Sequence, residues 1–134
     1  ELARLYGYLY QDTKKNFTIL HSIDGYDEIS LTGNTKAIRN TSERMLTAED
    51  FGVHTIKEED IYGGDTIESS AAIFKKVISG KGTEAQNNVV CANAGMAIAT
   101  VKELTPIEGF ELAKESLLSG KGMEAFKKLK DLTI

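Results

Sequence analysis

The apolar and polar positions of the chain change rhythm near residue 63. Before it the apolar runs are short. Leu2, Leu5, Tyr6 and Leu9 recur three and four apart, marking one face of a helix. No capping residue precedes them and there is no initiator Met, so the chain is expected to start inside a helix and to be a piece of a longer protein. Residues 12–16 are polar and form a loop. Residues 17–23 are apolar and partly β-branched without strict alternation, which suits a strand covered on both faces of a parallel sheet and ending in a turn at Asp24-Gly25. Residues 29–32 and 35–39 read as extended segments around Gly33-Asn34, a hairpin on one edge of the sheet. A polar turn at Asn40-Thr41-Ser42 leads on to Arg44-Met45-Leu46. Thr47 and Asp50 are spaced to cap a short helical turn ending near Gly52, and Lys57-Glu58-Glu59-Asp60 reads as a solvated loop.

From Gly63 onward the period is helical. Ile67, Ala71, Phe74 and Ile78 share a face, Lys75 and Lys76 point away from it, and Gly80 supplies a stop. The next helix, about 84–101, carries small residues all round, among them Ala92, Ala94, Gly95, Ala97 and Ala99. Small side chains let backbones approach closely, so this helix is expected to be central and buried on several faces. Thr105-Pro106-Ile107-Glu108 combines an N-cap, Pro at the first helical position and Glu at the third. Ser79-Gly80-Lys81-Gly82 recurs as Ser119-Gly120-Lys121-Gly122, but helices precede both copies where a P-loop needs a strand. Both are read as glycine-capped helix junctions. The fold class expected is α/β, with a partial, mostly parallel sheet and a hairpin, covered by helices, and an all-helical C-terminal half.

Length and charge narrow this picture without deciding function. The chain has 134 residues, 41% of them hydrophobic, enough for one domain with a real core. A net charge of -4 argues against a nucleic-acid surface. It leaves room for a small phosphorylated substrate, because a bound Mg²⁺ ion can bring the positive charge that the protein lacks. The single cysteine, Cys91, excludes an intrachain disulfide and points to a reducing compartment. No apolar run reaches the roughly 20 residues that span a bilayer, so no membrane partner is expected and a cytoplasmic location is the default.

The candidate chemistry lies in Asp24-Gly25-Tyr26-Asp27-Glu28-Ile29-Ser30. Ligands of open α/β sheets collect outside the carboxyl ends of strands, so Asp27 and Glu28 would face a site there. One or two carboxylates plus substrate phosphates suffice to hold Mg²⁺. The bland alternative is a solvated acidic turn.

This stretch, after a hydrophobic strand containing His21, resembles the metal-binding signature of the anthranilate phosphoribosyltransferase family. Leu46-Thr47-Ala48-Glu49-Asp50-Phe51-Gly52, Gly63-Gly64-Asp65 and Asn87-Asn88-Val89-Val90-Cys91-Ala92-Asn93-Ala94 follow in the family's order, so nearly the whole chain is covered. The resemblance implies that Asp27 and Glu28 are ligands of Mg²⁺ bound to phosphoribosyl pyrophosphate, and that the intact enzyme transfers its phosphoribosyl group to the amine of anthranilate in tryptophan biosynthesis. It implies that residues 1–134 are the C-terminal part of the α/β domain. The helical N-terminal domain with its dimer contacts, the Gly-Thr-Gly-Gly-Asp phosphate loop and the acceptor-binding residues would lie upstream, in the missing part of the same protein. The chain alone is then expected to be inactive and the intact protein a homodimer. Alternatives are a non-catalytic binding or structural domain of the same fold, or a related nucleoside phosphorylase.

The remaining candidates favour structural roles. Gly63-Gly64-Asp65 lies downstream of the acidic motif and opens a helix, so it is read as capping; Ser69 and Ser70 stand where many family members have Asn. His21 is expected to shape the loop through hydrogen bonding, and His54 to be solvated. Cys91 is read as a buried filler and Asn93 as a polar anchor between helices.

Overall fold

The computed structural model describes residues 2–40 and 42–133. Helix α1 (Leu2–Gln11) leads into β1 (Thr18–Ser22), β2 (Thr35–Arg39) and β3 (Ser42–Leu46). Two 3-10 turns, Ala48–Phe51 and Glu58–Ile61, then bring the chain to α2 (Ile67–Ile78), α3 (Glu84–Lys102), α4 (Pro106–Leu118) and α5 (Lys121–Leu132). The C-terminal half is helical, as the apolar period predicts.

The sheet departs from expectation. Its order is β1-β2-β3 and both pairings are antiparallel, so the mostly parallel sheet is not found among the described strands. Residues 18–20 are only half-buried, and the strand carries one buried side chain, Ser22. An apolar run of this length fits a half-covered antiparallel strand as well as a buried parallel one. The hairpin also lies elsewhere. Residues 35–39 pair with 42–46, not with 29–32, and Arg39 stands opposite Ser42. Of the polar turn expected at 40–42, Thr41 lies outside the described residues. Lys57-Glu58-Glu59-Asp60 is not plain loop either, since most of it forms the second 3-10 turn.

Residues 23–34, expected to be partly extended, form a closed loop between β1 and β2. The Ile23 amide donates to the Asn34 carbonyl at 2.9 Å and closes its neck. Inside, Asp24 accepts from the hydroxyls of Ser30, at 3.0 Å, and Thr32. Hydroxyl donation from Thr32, outweighing a slight effect of burial and aided by Ser30, holds the Asp24 carboxyl below its ordinary value. Leu31 takes a left-handed backbone at φ 61°, a conformation usually left to Gly, while its side chain lies in the core. Its carbonyl accepts from the Ile56 amide at 3.1 Å. The loop is thus fixed from within and pinned to the segment before α2.

The helices begin and end on local chemistry. Thr105 and Glu108 exchange hydrogen bonds around Pro106 at the start of α4, and Thr83 and Gln86 do the same at the start of α3. After α2, Gly80 has φ 73° and the amides of Gly80 and Lys81 return to the carbonyls of Val77 and Lys76, a Schellman end. The face assigned to α2 is corrected. Ile67 is 84% exposed and Phe74 packs edge-on to Phe126 of α5, whereas Val77 is the buried residue. Period alone does not say where the partner of a helix stands.

The core forms where α3 and α4 meet the sheet: Ile29, Leu31, Ala37, Leu46, Phe51, Ala92, Met96 and Phe110 are among its members. The two helices touch backbone to backbone. A methyl group on Gly109 would stand 2.2 Å from the Gly95 carbonyl oxygen, and one on Gly95 2.6 Å from the Phe110 nitrogen. The α3 face made of Cys91, Ala92, Gly95, Met96 and Ala99 is buried, but Ala94 and Ala97 are exposed. The helix is therefore buried along one face and part of its flanks rather than on several faces.

Gly109→Ala should force α4 off α3 and destabilise this chain by at least about 1–3 kcal/mol in urea unfolding. Ala94→Leu, on the open side, should change stability by less than about 0.5 kcal/mol. Equal losses for the two would place the close contact elsewhere. A second expectation concerns Asp24. Its depressed value means that the folded loop gains stability from the carboxylate above about pH 4 and loses it as pH falls through the lower folded value. Thr32→Val should raise the Asp24 value toward that of an ordinary carboxyl, read by carboxyl NMR titration, and shift that acid-side loss to higher pH.

Candidate functional site

The loop described above presents Asp27 and Glu28. Gly25, at φ 95°, turns the chain after Asp24, and the backbone bends at both acids. Successive side chains of a regular strand would point to opposite faces; a bend removes that constraint. Both side chains are exposed, and neither makes an ion pair with a described residue. The turn expected at Asp24-Gly25 is present, and the two acids stand at bends just beyond it.

The neighbouring backbone is held closely. The buried hydroxyl of Ser22 donates to the Glu28 carbonyl and lies 2.9 Å from the Thr35 hydroxyl. Asn93, on α3, grips Ile29 with both ends of its amide: the Ile29 amide donates to Asn93 Oδ1 at 3.0 Å, and Asn93 Nδ2 donates to the Ile29 carbonyl at 2.8 Å. The same Nδ2 reaches the Val89 carbonyl of its own helix at 3.0 Å. Ile29, immediately after Glu28, is 2% exposed. Unpaired backbone groups there would carry a desolvation cost, and Asn93 removes it. Asn93 therefore anchors a helix to a loop, not to another helix. Only the amide side chain in its sequence suggested a polar anchor; its partner, 64 residues away, left no local signal.

Other candidates fall into structural places. His21 is exposed at the end of β1, opposite Lys36, and no hydrogen bond to its ring is found among the described residues, so the expected loop-shaping bond is absent there. His54 is exposed. Cys91 is a buried free thiol whose pKa is pushed up by burial, which makes it inert as a nucleophile. Beyond Gly63-Gly64, Thr66 and Ser69 cap α2, as expected of a helix start.

No group of three or more His, Cys, Asp and Glu side chains able to hold a metal is found among the described residues. Asp27 and Glu28 offer two hard oxygen donors, so an ion bound there needs further ligands from water or from a phosphorylated substrate. A cleft of about 840 Å³ whose lining includes neither acid is formed by Val53, His54, Tyr62, Gln86 and Lys114 among others. No described helix is long and apolar enough to cross a membrane.

Comparison with known proteins extends this geometry. The chain is 70% identical over all 134 residues to the anthranilate phosphoribosyltransferase of Flavobacterium psychrophilum, and 65% identical to that of Flavobacterium johnsoniae. It spans 41% of the length of each of these relatives. Among solved structures, anthranilate phosphoribosyltransferase from Saccharomyces cerevisiae in complex with 4-fluoroanthranilate matches with a TM-score of 0.81 at 19% identity, over 94% of this chain and 38% of that one. The yeast enzyme in complex with PRPP and Mg matches with a TM-score of 0.78 at 21% identity, over 94% and 37% of the two chains. At these identities the structures bear on fold alone. The model of the glycosyl transferase family, a/b domain, matches residues 1–123, and the chain belongs to that family.

Proposed function

We propose that this chain is the C-terminal part of the α/β domain of an anthranilate phosphoribosyltransferase, and that Asp27 and Glu28 are its Mg²⁺ ligands. The observation that carries the proposal is a pair of adjacent, exposed carboxylates, bare of ion pairs among the described residues, at a bend followed by a peptide unit held at both its carbonyl and its amide. Identity of 70% over the full chain to a phosphoribosyltransferase supports the activity of the whole protein.

The donor set fits the ion. Carboxylate oxygens suit Mg²⁺, and two of them leave coordination positions for water and for the phosphates of phosphoribosyl pyrophosphate. When bound, Mg²⁺ supplies positive charge against the pyrophosphate that leaves. The task of this chain is to present its two carboxylates where that charge is needed, and to do so without reorganising. Preorganised groups of this kind carry much of the electrostatic part of catalysis. The rest of the protein would supply the phosphate loop, the anthranilate pocket and the dimer contacts, in a cytoplasmic enzyme of tryptophan biosynthesis.

In the full-length enzyme, replacing both acids, Asp27→Asn with Glu28→Gln, should leave the melting temperature near the parent's, since two adjacent exposed carboxylates repel each other without a cation. The same change should raise the Mg²⁺ concentration for half-maximal rate and lower the rate. Parent-like Mg²⁺ dependence and turnover would reduce the acids to a solvated turn. The chain by itself should give no product from anthranilate, phosphoribosyl pyrophosphate and Mg²⁺ above background, because positioning of both reactants accounts for about 7–11 kcal/mol of such a barrier. Clear turnover would show that it holds a whole active site.

A further inference from the structure

We infer that Asn93 is a positioning residue for the Asp27-Glu28 carboxylates, acting from α3 through the backbone of Ile29. The inference rests on the metal-site reading above. Asn93 touches neither acid. Its amide makes the two hydrogen bonds that a neighbouring strand would make to Ile29, with the acceptor at 3.0 Å and the donor at 2.8 Å, and its third bond, to Val89, fixes the amide's own orientation. The Glu28 carbonyl, the other end of the peptide unit whose Ile29 amide donates to Asn93, accepts from the buried Ser22 hydroxyl. Two elements, β1 and α3, thus grip one peptide unit, that between Glu28 and Ile29, at its carbonyl and its amide, and Asn93 holds the next carbonyl as well, so the grip begins immediately after the two acids.

The consequence separates Asn93 from an ordinary core polar group. Where a metal has only two protein ligands, its affinity depends on how narrowly their backbone is fixed, because loose ligands must be ordered on binding. Residues that orient metal ligands through hydrogen bonds change affinity by about 10–100-fold when removed. Thr100, two turns further along α3, offers a built-in comparison: its hydroxyl lies 2.6 Å from that of Thr18, so it also joins α3 to the sheet, but away from the loop.

The test uses the full-length enzyme and Mn²⁺ as the probe, its binding followed by electron paramagnetic resonance in the presence of phosphoribosyl pyrophosphate. The Mg²⁺ concentration for half-maximal rate and the melting temperature are measured alongside. Asn93→Ala should weaken Mn²⁺ binding by about 10-fold or more and raise the Mg²⁺ requirement in step. Asn93→Ser, which is smaller and polar, should do the same and serves if the alanine variant does not fold. Thr100→Val should leave Mn²⁺ binding as in the parent. If the Asp27→Asn, Glu28→Gln double variant loses Mn²⁺ while the Asn93 variants bind it like the parent, the positioning role is overturned and the site stands. Weakening by Thr100→Val to the same extent as by Asn93→Ala would also overturn it, since general loosening of α3 would then explain both. If the double variant itself binds Mn²⁺ like the parent, the site reading fails and the positioning role with it.

Discussion

The contact between Gly95 and Gly109 sets the geometry on which the other features depend. With a methyl group excluded from either position by distances of 2.2–2.6 Å to backbone atoms, α3 and α4 lie closer than side chains would allow. That closeness lets Ala92, Met96 and Ala99 on α3 and Phe110 and Ala113 on α4 form one layer against the sheet. It also fixes the height of α3 above β1 and β2. A helix displaced outward would lose Asn93 from Ile29 at one end, and at the other the Arg39 guanidinium, which donates to the Ala99 carbonyl at 3.0 Å and caps the end of α3.

Polar groups in the loop divide by what they are committed to. Ser22, Ser30 and Thr35 are buried, and each hydroxyl has a partner. Asp24 is occupied by two hydroxyls that also depress its pKa. Asp27 and Glu28 are exposed and make no ion pair with any described residue. A folded chain satisfies its polar groups wherever burial forces it to, and two exposed acids beside a backbone bonded at Glu28 and Ile29 are free to meet a ligand from outside.

What was legible in the sequence follows from the range of the interactions. The starts of α3 and α4, the glycine-ended junctions at Gly80 and Gly120 and the short turn before Gly52 depend on residues within about four positions of one another, and the sequence shows them directly. The acidic pair was legible as a motif. Strand direction and hairpin register were not, because an apolar run does not name its partner and Gly33-Asn34 resembles a hairpin turn. The loop that replaces the expected hairpin is held by Ser22, Asp24 and Asn93, up to 64 residues from what they bond. The face of α2 is set in the same way, by where another part of the chain arrives, at Val77 and not at Ile67.

Helix α3 explains why its own sequence is so poor in bulk. It must approach α4 along Gly95, pack Ala92 and Ala99 against the core, and hold Asn93 and Thr100 toward the sheet side. The first two tasks share one face, and Asn93 and Thr100 stand on the flank beside it, so few positions there admit a large side chain without disturbing another. Ala94 and Ala97 are small although exposed, and none of these tasks explains their size. The hydrophobic period that identifies most helices is weakened by this demand, since a face of Gly and Ala scores little more apolar than its surroundings. Composition, not period, is the signature of a helix that serves several neighbours at once. Here it marks the element that joins the stability of the domain to the position of its two candidate metal ligands.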